Sequence, residues 1–348
     1  MFNGYSNMKK PFIICFALIL VVPVFARRYY SSSRYYKQHR IAQVTFAYPL
    51  GSSALNSMDY SNSFSFNILY GLNGGVAGME IGGAANYNRG HVNGLQIAGL
   101  ANINDGNTNG LIISGGLNYF QKKSNGIMIS GAVNYSRNTS TGLCLAPVNI
   151  AANDVGGVQV GVLNIADRLN GLQIGVVNIS KINRGIPVGL VNIVKYGLYK
   201  FDITAGETVY YNFIYKMGAE RSYTSYRVGY SRYNDKPVYS LGLGLGLRFD
   251  EYKNNMLSID FSCNQVIYNG NFAGGLNLLN VLNVSDEIFI SRKASIIVGP
   301  SMNVYFTDEK VNGYFGTLPV PYTLYSFDGE NTGVRIWLGF NLGFSFNI

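Results

Sequence analysis

Gly171-Leu172-Gln173-Ile174-Gly175-Val176-Val177-Asn178-Ile179 is the cleanest of eight copies of one short phrase that fills residues 78–193. The phrase opens on Gly78, Gly94, Gly110, Gly126, Gly142, Gly157, Gly171 and Gly185. It closes on Asn86, Asn102, Asn118, Asn134, Asn149, Asn164, Asn178 and Asn192. The period is 16 residues in the early copies and 14 in the last ones. Apart from Glu80, charge is confined to the connectors: Arg89, Asp105, Lys122, Lys123, Arg137, Asp154, Asp167, Arg168, Lys181, Arg184 and Lys195. A fixed short period with charged joints marks a repeat architecture.

Two β readings fit the phrase. In one, each copy is a coil of a β-solenoid: Leu172-Gln173-Ile174 is a strand, Gly175 a corner, and Val177-Asn178-Ile179 a second strand, with parallel stacking of like on like. In the other, each copy is one membrane-spanning strand of a continuous barrel of about 16 to 18 strands, wide enough to leave a channel. The shortened copies favour the solenoid. They lose a residue between the Gln and Asn positions, which in a straight strand would throw Gln173 and Asn178 onto opposite faces. A corner absorbs the loss. Pro147 interrupts a clean ladder, whereas Pro187 sits in the terminal copy, where irregularity is expected.

Outward from the repeats, residues 1–26 read as an export signal: Lys9-Lys10, an apolar run from Pro11 to Phe25, and a small-residue site at Ala26. Residues 27–40 form a leader in which Arg27, Arg28 and Arg34 alternate with tyrosines. Seven of the positive charges behind the net +9 lie in residues 1–40, so the rest of the chain carries no general basic field and nucleic acid is not an expected partner. Cys144 and Cys263 are too few for a disulfide scaffold, and spacing leaves their pairing open. No later apolar run is long enough for a transmembrane helix.

Residues 41–77 alternate over Val44, Phe46 and Tyr48 and again over Phe64, Phe66, Ile68 and Tyr70, predicting two strands. Residues 198–348 are dense in aromatics. Ile336, Leu338, Phe340, Leu342, Phe344, Phe346 and Ile348 hold one face of the last strand, and Tyr239 to Phe249 repeat the pattern against Gly242, Gly244 and Gly246. Further strands are predicted at 203–215, 223–233, 256–268, 276–290 and 294–306. Strands of about ten residues, apolar outside and small or polar inside, predict an outer-membrane barrel built from about 41–70 and 201–348. The fold class is therefore all-β, a membrane barrel with a solenoid-like block at 78–197.

Chemistry is sparse. His39 and His91 are isolated, and Gly242-Leu243-Gly244-Leu245-Gly246 mimics part of a dinucleotide fingerprint, but with strand spacing and no following helix. Glu80 is the one acid inside a repeat body, at the Gln position. No catalytic, cofactor or metal residue is assigned, and an envelope-lipid-modifying barrel enzyme is the weakest of three functional readings, behind binding and a porin-like channel. The amide rows are rich in hydrogen-bonding groups and poor in charge. They predict a partner-facing surface through Gln96, Gln159, Gln173, Asn102, Asn118, Asn134 and Asn178, for a surface glycan or another envelope protein.

The repeat, over residues 78–192, resembles that of bacterial exported surface-repeat proteins with a Gly-apolar-Gln-apolar-Gly-apolar-apolar-Asn phrase, and residues 201–348 are similar in kind to outer-membrane barrels. The resemblance implies an envelope location with outer-membrane lipid as a partner, and it brings no catalytic residues.

Overall fold

The computed structural model describes residues 38–252, 255–272 and 274–348, so the expected export signal and all of the expected leader before residue 38 lie outside the described residues. The chain folds into two all-β bodies, a parallel solenoid followed by a closed antiparallel barrel.

In the solenoid each coil has two arms. The ascending arms Val92–Ala98, Thr108–Ser114 and Ser124–Ser130 stack in register in one sheet. The returning arms Ala101–Asn104, Leu117–Phe120 and Val133–Ser136 stack in the other. Every pairing between coils is parallel, so glycine lies on glycine and asparagine on asparagine. The continuous barrel is thereby excluded for this block, since successive barrel strands run antiparallel. In the late coils both arms join one strand, Val158–Leu169, yet Val162 takes no partner while Gly161 pairs Gly175 and Leu163 pairs Val177. The missing residue is taken up at that corner, as the shortened period predicts.

Glycine opens each coil because the stack leaves no room for a side chain. Gly110 has φ +130°, and a Cβ there would collide with the carbonyl oxygen of Gly94 in the coil before it.

The amino-terminal strands correct the expected barrel boundary. Gln38–Ala47 and Tyr60–Asn73 pair parallel with each other, and the second pairs parallel with Gly75–Gly82 and Ala85–Asn88. They are the first turns of the solenoid. Alternation cannot separate the two cases; the crossover through the short 3-10 helix Ala54–Asp59 brings the second strand back in the same direction.

The barrel contains Leu198–Gly206, Tyr211–Gly218, Ser222–Tyr233, Lys236–Tyr252, Asn255–Tyr268, Asn277–Phe289, Ala294–Thr307 and Gly333–Asn347. The first and last of these pair antiparallel, Ile203 opposite Phe344, and close the ring. The predicted strand at 203–215 is a hairpin instead, broken at residues 207–210. At the end where the solenoid enters, strands are joined by short turns such as 219–221 and 290–293; the longer connections 269–276 and 308–332 lie at the opposite end.

An eight-stranded ring encloses just enough space for side chains to fill it. Here the half near the short turns holds ion pairs: Lys216 with Asp202 at 2.7 Å, Arg248 with Glu287 at 2.9 Å, Lys200 with the same Glu287, and Arg227 with Asp260. The other half is plugged by Val209, Val238, Val266, Leu279, Tyr305, Trp337 and Leu318, the last reaching in from the long connection. The outer wall is a belt of exposed Leu241, Leu243, Leu245, Phe261, Leu338, Phe340 and Phe344.

Candidate functional site

The amide positions expected to face a partner face inward. Gln96, Gln159, Gln173, Asn102, Asn118, Asn134 and Asn178 are all buried, none more than 3 % exposed. The asparagines form one ladder through the solenoid. Asn86 Nδ2 donates to Asn102 Oδ1 at 3.0 Å, Asn102 to Asn118 at 3.0 Å, and Asn118 to Asn134 at 2.9 Å. The ladder continues through Asn149, Asn164 and Asn178 to Asn192. The same nitrogens also donate to a backbone carbonyl of the next coil, as Asn102 does to Ile113 at 2.8 Å. These bonds satisfy groups that burial would otherwise leave costly.

The Gln row is broken. Gln173 Nε2 donates to Gln159 Oε1 at 2.8 Å, and Gln96 donates to Glu80 at 2.8 Å, but Ile112, Met128 and Cys144 hold the positions between and pack with Val92 and Phe120. Cys144 and Cys263 are both free, the first buried and the second on the outer wall of the barrel.

Glu80, fully buried, accepts from Asn67 (3.1 Å), Asn73 (2.5 Å), Asn88 (2.5 Å) and Gln96 (2.8 Å). Burial pushes its carboxyl up to about 7, against the pull of these four donors toward the ionised form. It anchors the amide network near the start of the solenoid. His39 lies 3.1 Å from the Ser63 hydroxyl, and no group of residues among those described could hold a metal ion.

With its amides inside, the solenoid turns its aliphatic residues outward. Leu172 and Ile174 flank the buried Gln173, and at the corners Leu100 is 64 %, Val162 57 % and Leu190 51 % exposed. The last coil docks these corners on the outer wall of the barrel. Thr224, on the third barrel strand, donates to the Gly189 carbonyl at 2.8 Å and receives Asn192 Nδ2 at 2.7 Å, so a barrel hydroxyl terminates the ladder. Tyr226 donates to the Leu190 carbonyl, and Tyr199 to the Val194 carbonyl at 2.8 Å.

Beside this junction lies a cleft of about 850 Å³. One wall is the corners of four successive coils, with Pro147, Val162, Val176 and Leu190 at their tips; the other is Leu243, Leu245, Phe261 and Cys263 of the barrel. Thr224 and Cys263 supply the only polar side-chain atoms in the lining, and the Thr224 hydroxyl is already engaged. Such a space can take an apolar chain and offers nothing to a charged or sugar-like ligand. Sequence reasoning missed the cleft because its two walls, residues 145–190 and 243–263, are far apart in the chain. The available signal was the run of apolar corner residues, Pro147, Val162, Val176 and Leu190, where the copies lose a residue between the Gln and Asn positions. No protein family, curated protein or solved structure matches the chain.

Proposed function

We propose that this is a non-enzymatic outer-membrane protein whose barrel is the anchor and whose cleft between solenoid and barrel holds a lipid acyl chain. The cleft carries the reading: about 850 Å³ with an almost wholly aliphatic lining, opening on the outer apolar belt. That belt supports membrane insertion of the barrel, because an exposed aromatic and aliphatic band around a closed ring is what a bilayer requires. The filled interior favours an anchor over a channel, and the burial of the amide rows removes the basis for a glycan- or protein-binding polar face.

Cys263 gives a direct test, since it lines the cleft while Cys144 is buried. The purified, delipidated full-length protein should bind a fluorescent long-chain fatty acid saturably, and the bound chain should protect Cys263 from alkylation. Val162→Trp and Leu245→Trp fill the space from opposite walls and should each weaken binding at least about tenfold, a loss of roughly 1.4 kcal/mol. Non-saturable uptake, or binding by both variants as tight as that of the unsubstituted protein, would overturn the reading.

A further inference from the structure

We infer that the solenoid is itself sunk into the bilayer, corners first, in the leaflet at the short-turn end of the barrel. Its basic connectors then lie among the lipid phosphates. The inference rests on the barrel spanning the membrane, and it assigns a lipid monolayer as the partner of a body that looks at first like a surface domain.

Polarity is the first support. The solenoid reverses much of the polarity expected in water: amides and serines share its interior with the apolar cluster of Val92, Ile112, Phe120, Met128 and Cys144, while both outer sheets present leucine, isoleucine and valine. Polarity is also graded along each arm. In the ascending arm Ser124–Ser130, the charged connector is followed by Asn125, then outward Ile127 and Ile129, then the corner at Gly131. Asn109 bonds Asn93, and Thr141 bonds Asn125, so the band below the aliphatic one is a row of polar side chains. From Gly126 to Ser130 the arm rises roughly 13 Å at ~3.3 Å per residue, close to the ~15 Å of one hydrocarbon leaflet.

Height is the second. Only Lys195, Tyr196 and Gly197 separate the last solenoid strand, Ile186–Val194, from the first barrel strand, Leu198–Gly206. The connectors are therefore level with the short-turn end of the barrel. The corners bond Thr224 and Tyr226 and share a cleft with Leu243, Leu245 and Phe261, part-way along the apolar belt. A solenoid standing in water beyond the barrel could not touch those residues.

Backbone chemistry is the third. Hydrocarbon does not tolerate an open sheet edge. The last coil is such an edge, and Thr224, Tyr226 and Tyr199 bond the Gly189, Leu190 and Val194 carbonyls there.

Charge is the fourth. The connectors carry eight basic against three acidic side chains. Asp154 is taken up by Arg168 (2.9 Å), and Asp167 lies 3.8 Å from Lys181. Lys122, Lys123, Arg184 and Lys195 extend the excess along one rim, where anionic headgroups would meet it.

Depth-dependent quenching tests the inference. Single cysteines replace Leu100, Val162, Lys123 or, as barrel control, Leu241 in a Cys144→Ser, Cys263→Ser background. Each is labelled with an environment-sensitive fluorophore and reconstituted as the full chain in phosphatidylethanolamine–phosphatidylglycerol vesicles. Nitroxides on the acyl chain should quench Leu100→Cys and Val162→Cys severalfold more than nitroxides on the headgroup, as for Leu241→Cys, and the order should reverse at Lys123→Cys. A deep Leu241 label with both corner labels insensitive to acyl nitroxides would overturn the insertion and leave the barrel reading intact. A Leu241 label that no nitroxide quenches would overturn both.

Discussion

The solenoid and the barrel share one surface logic and differ in how they close it. Both set apolar residues outward along their strands and most of their polar residues inward, but the barrel encloses ion pairs whereas the solenoid repeats keep their charges, Glu80 apart, in the connectors. The barrel closes by joining its first and last strands antiparallel, so its hydrogen bonds form a ring without an end. The solenoid stacks parallel coils, and its ladders have two ends that must be capped. One end is folded over by the amino-terminal strands, and the other is met by barrel hydroxyls. Alternation fixes which residues face together; period and glycine placement decide whether the result is a ring or a stack.

The difference is sharpest at the glycine column. Gly110→Val places a branched side chain at a positive φ and against the Gly94 carbonyl. It should destabilise the solenoid by more than about 3 kcal/mol. Limited proteolysis should then cut the connectors while the barrel keeps its heat-modifiable migration. Loss of both together would show that the two bodies fold as one unit.

Glu80 offers a second contrast, because the solenoid but not the barrel starts on a buried carboxyl held only by amides. With its pKa raised from 4.5 to about 7, the folded chain binds this proton more tightly than the unfolded chain does. The resulting stabilisation is complete below pH 4.5 and is lost as pH rises through about 7. It amounts to roughly 3 kcal/mol between these limits. Urea unfolding of the solenoid at pH 4, 6 and 8 should show that decline, and Glu80→Gln should flatten it. Stability that rises with pH would mean that the four donors win over burial and the group stays ionised.

The smallest effect is expected at the joint. Thr224→Val keeps the shape but removes the hydroxyl that bonds Gly189 and Asn192. A loss of about 1–2 kcal/mol is expected. It should appear as faster hydrogen exchange over 186–194 with the barrel unchanged. Unchanged exchange there would mean that docking rests on apolar contact alone.

Much of this fold was legible in the sequence. The shortening between Gln173 and Asn178 pointed to a corner, and Gly242, Gly244 and Gly246 alternating with leucines marked a barrel strand. What could not be read was direction. Leu172-Gln173-Ile174 puts an amide on one face and two aliphatics on the other, but which face is inner depends on whether water or lipid lies outside. An outward amide row assumes water. The strands at 38–47 and 60–73 alternate as barrel strands do, and only their parallel pairing places them in the solenoid. The hairpin at 207–210 was hidden because Glu207-Thr208-Val209-Tyr210 contains none of the usual turn residues. Asp202, Asp260 and Glu287 are the inner-face partners of Lys216, Arg227 and Arg248. Their signal was their place opposite Ile203, Phe261 and Ile288 in the alternation.

The asparagine ladder has a direction. Every Nδ2 from Asn86 to Asn178 donates toward the next coil, so the side-chain dipoles add along the stack and the end of the series, Asn192, finds its acceptor in the barrel. Each rung meets only its two neighbours, and only the last coil meets the barrel hydroxyls. Length is therefore a free variable in this architecture: duplicating or deleting a middle coil changes neither the cross-section nor the joint. A lineage of such proteins could vary in reach by whole coils while keeping one anchor.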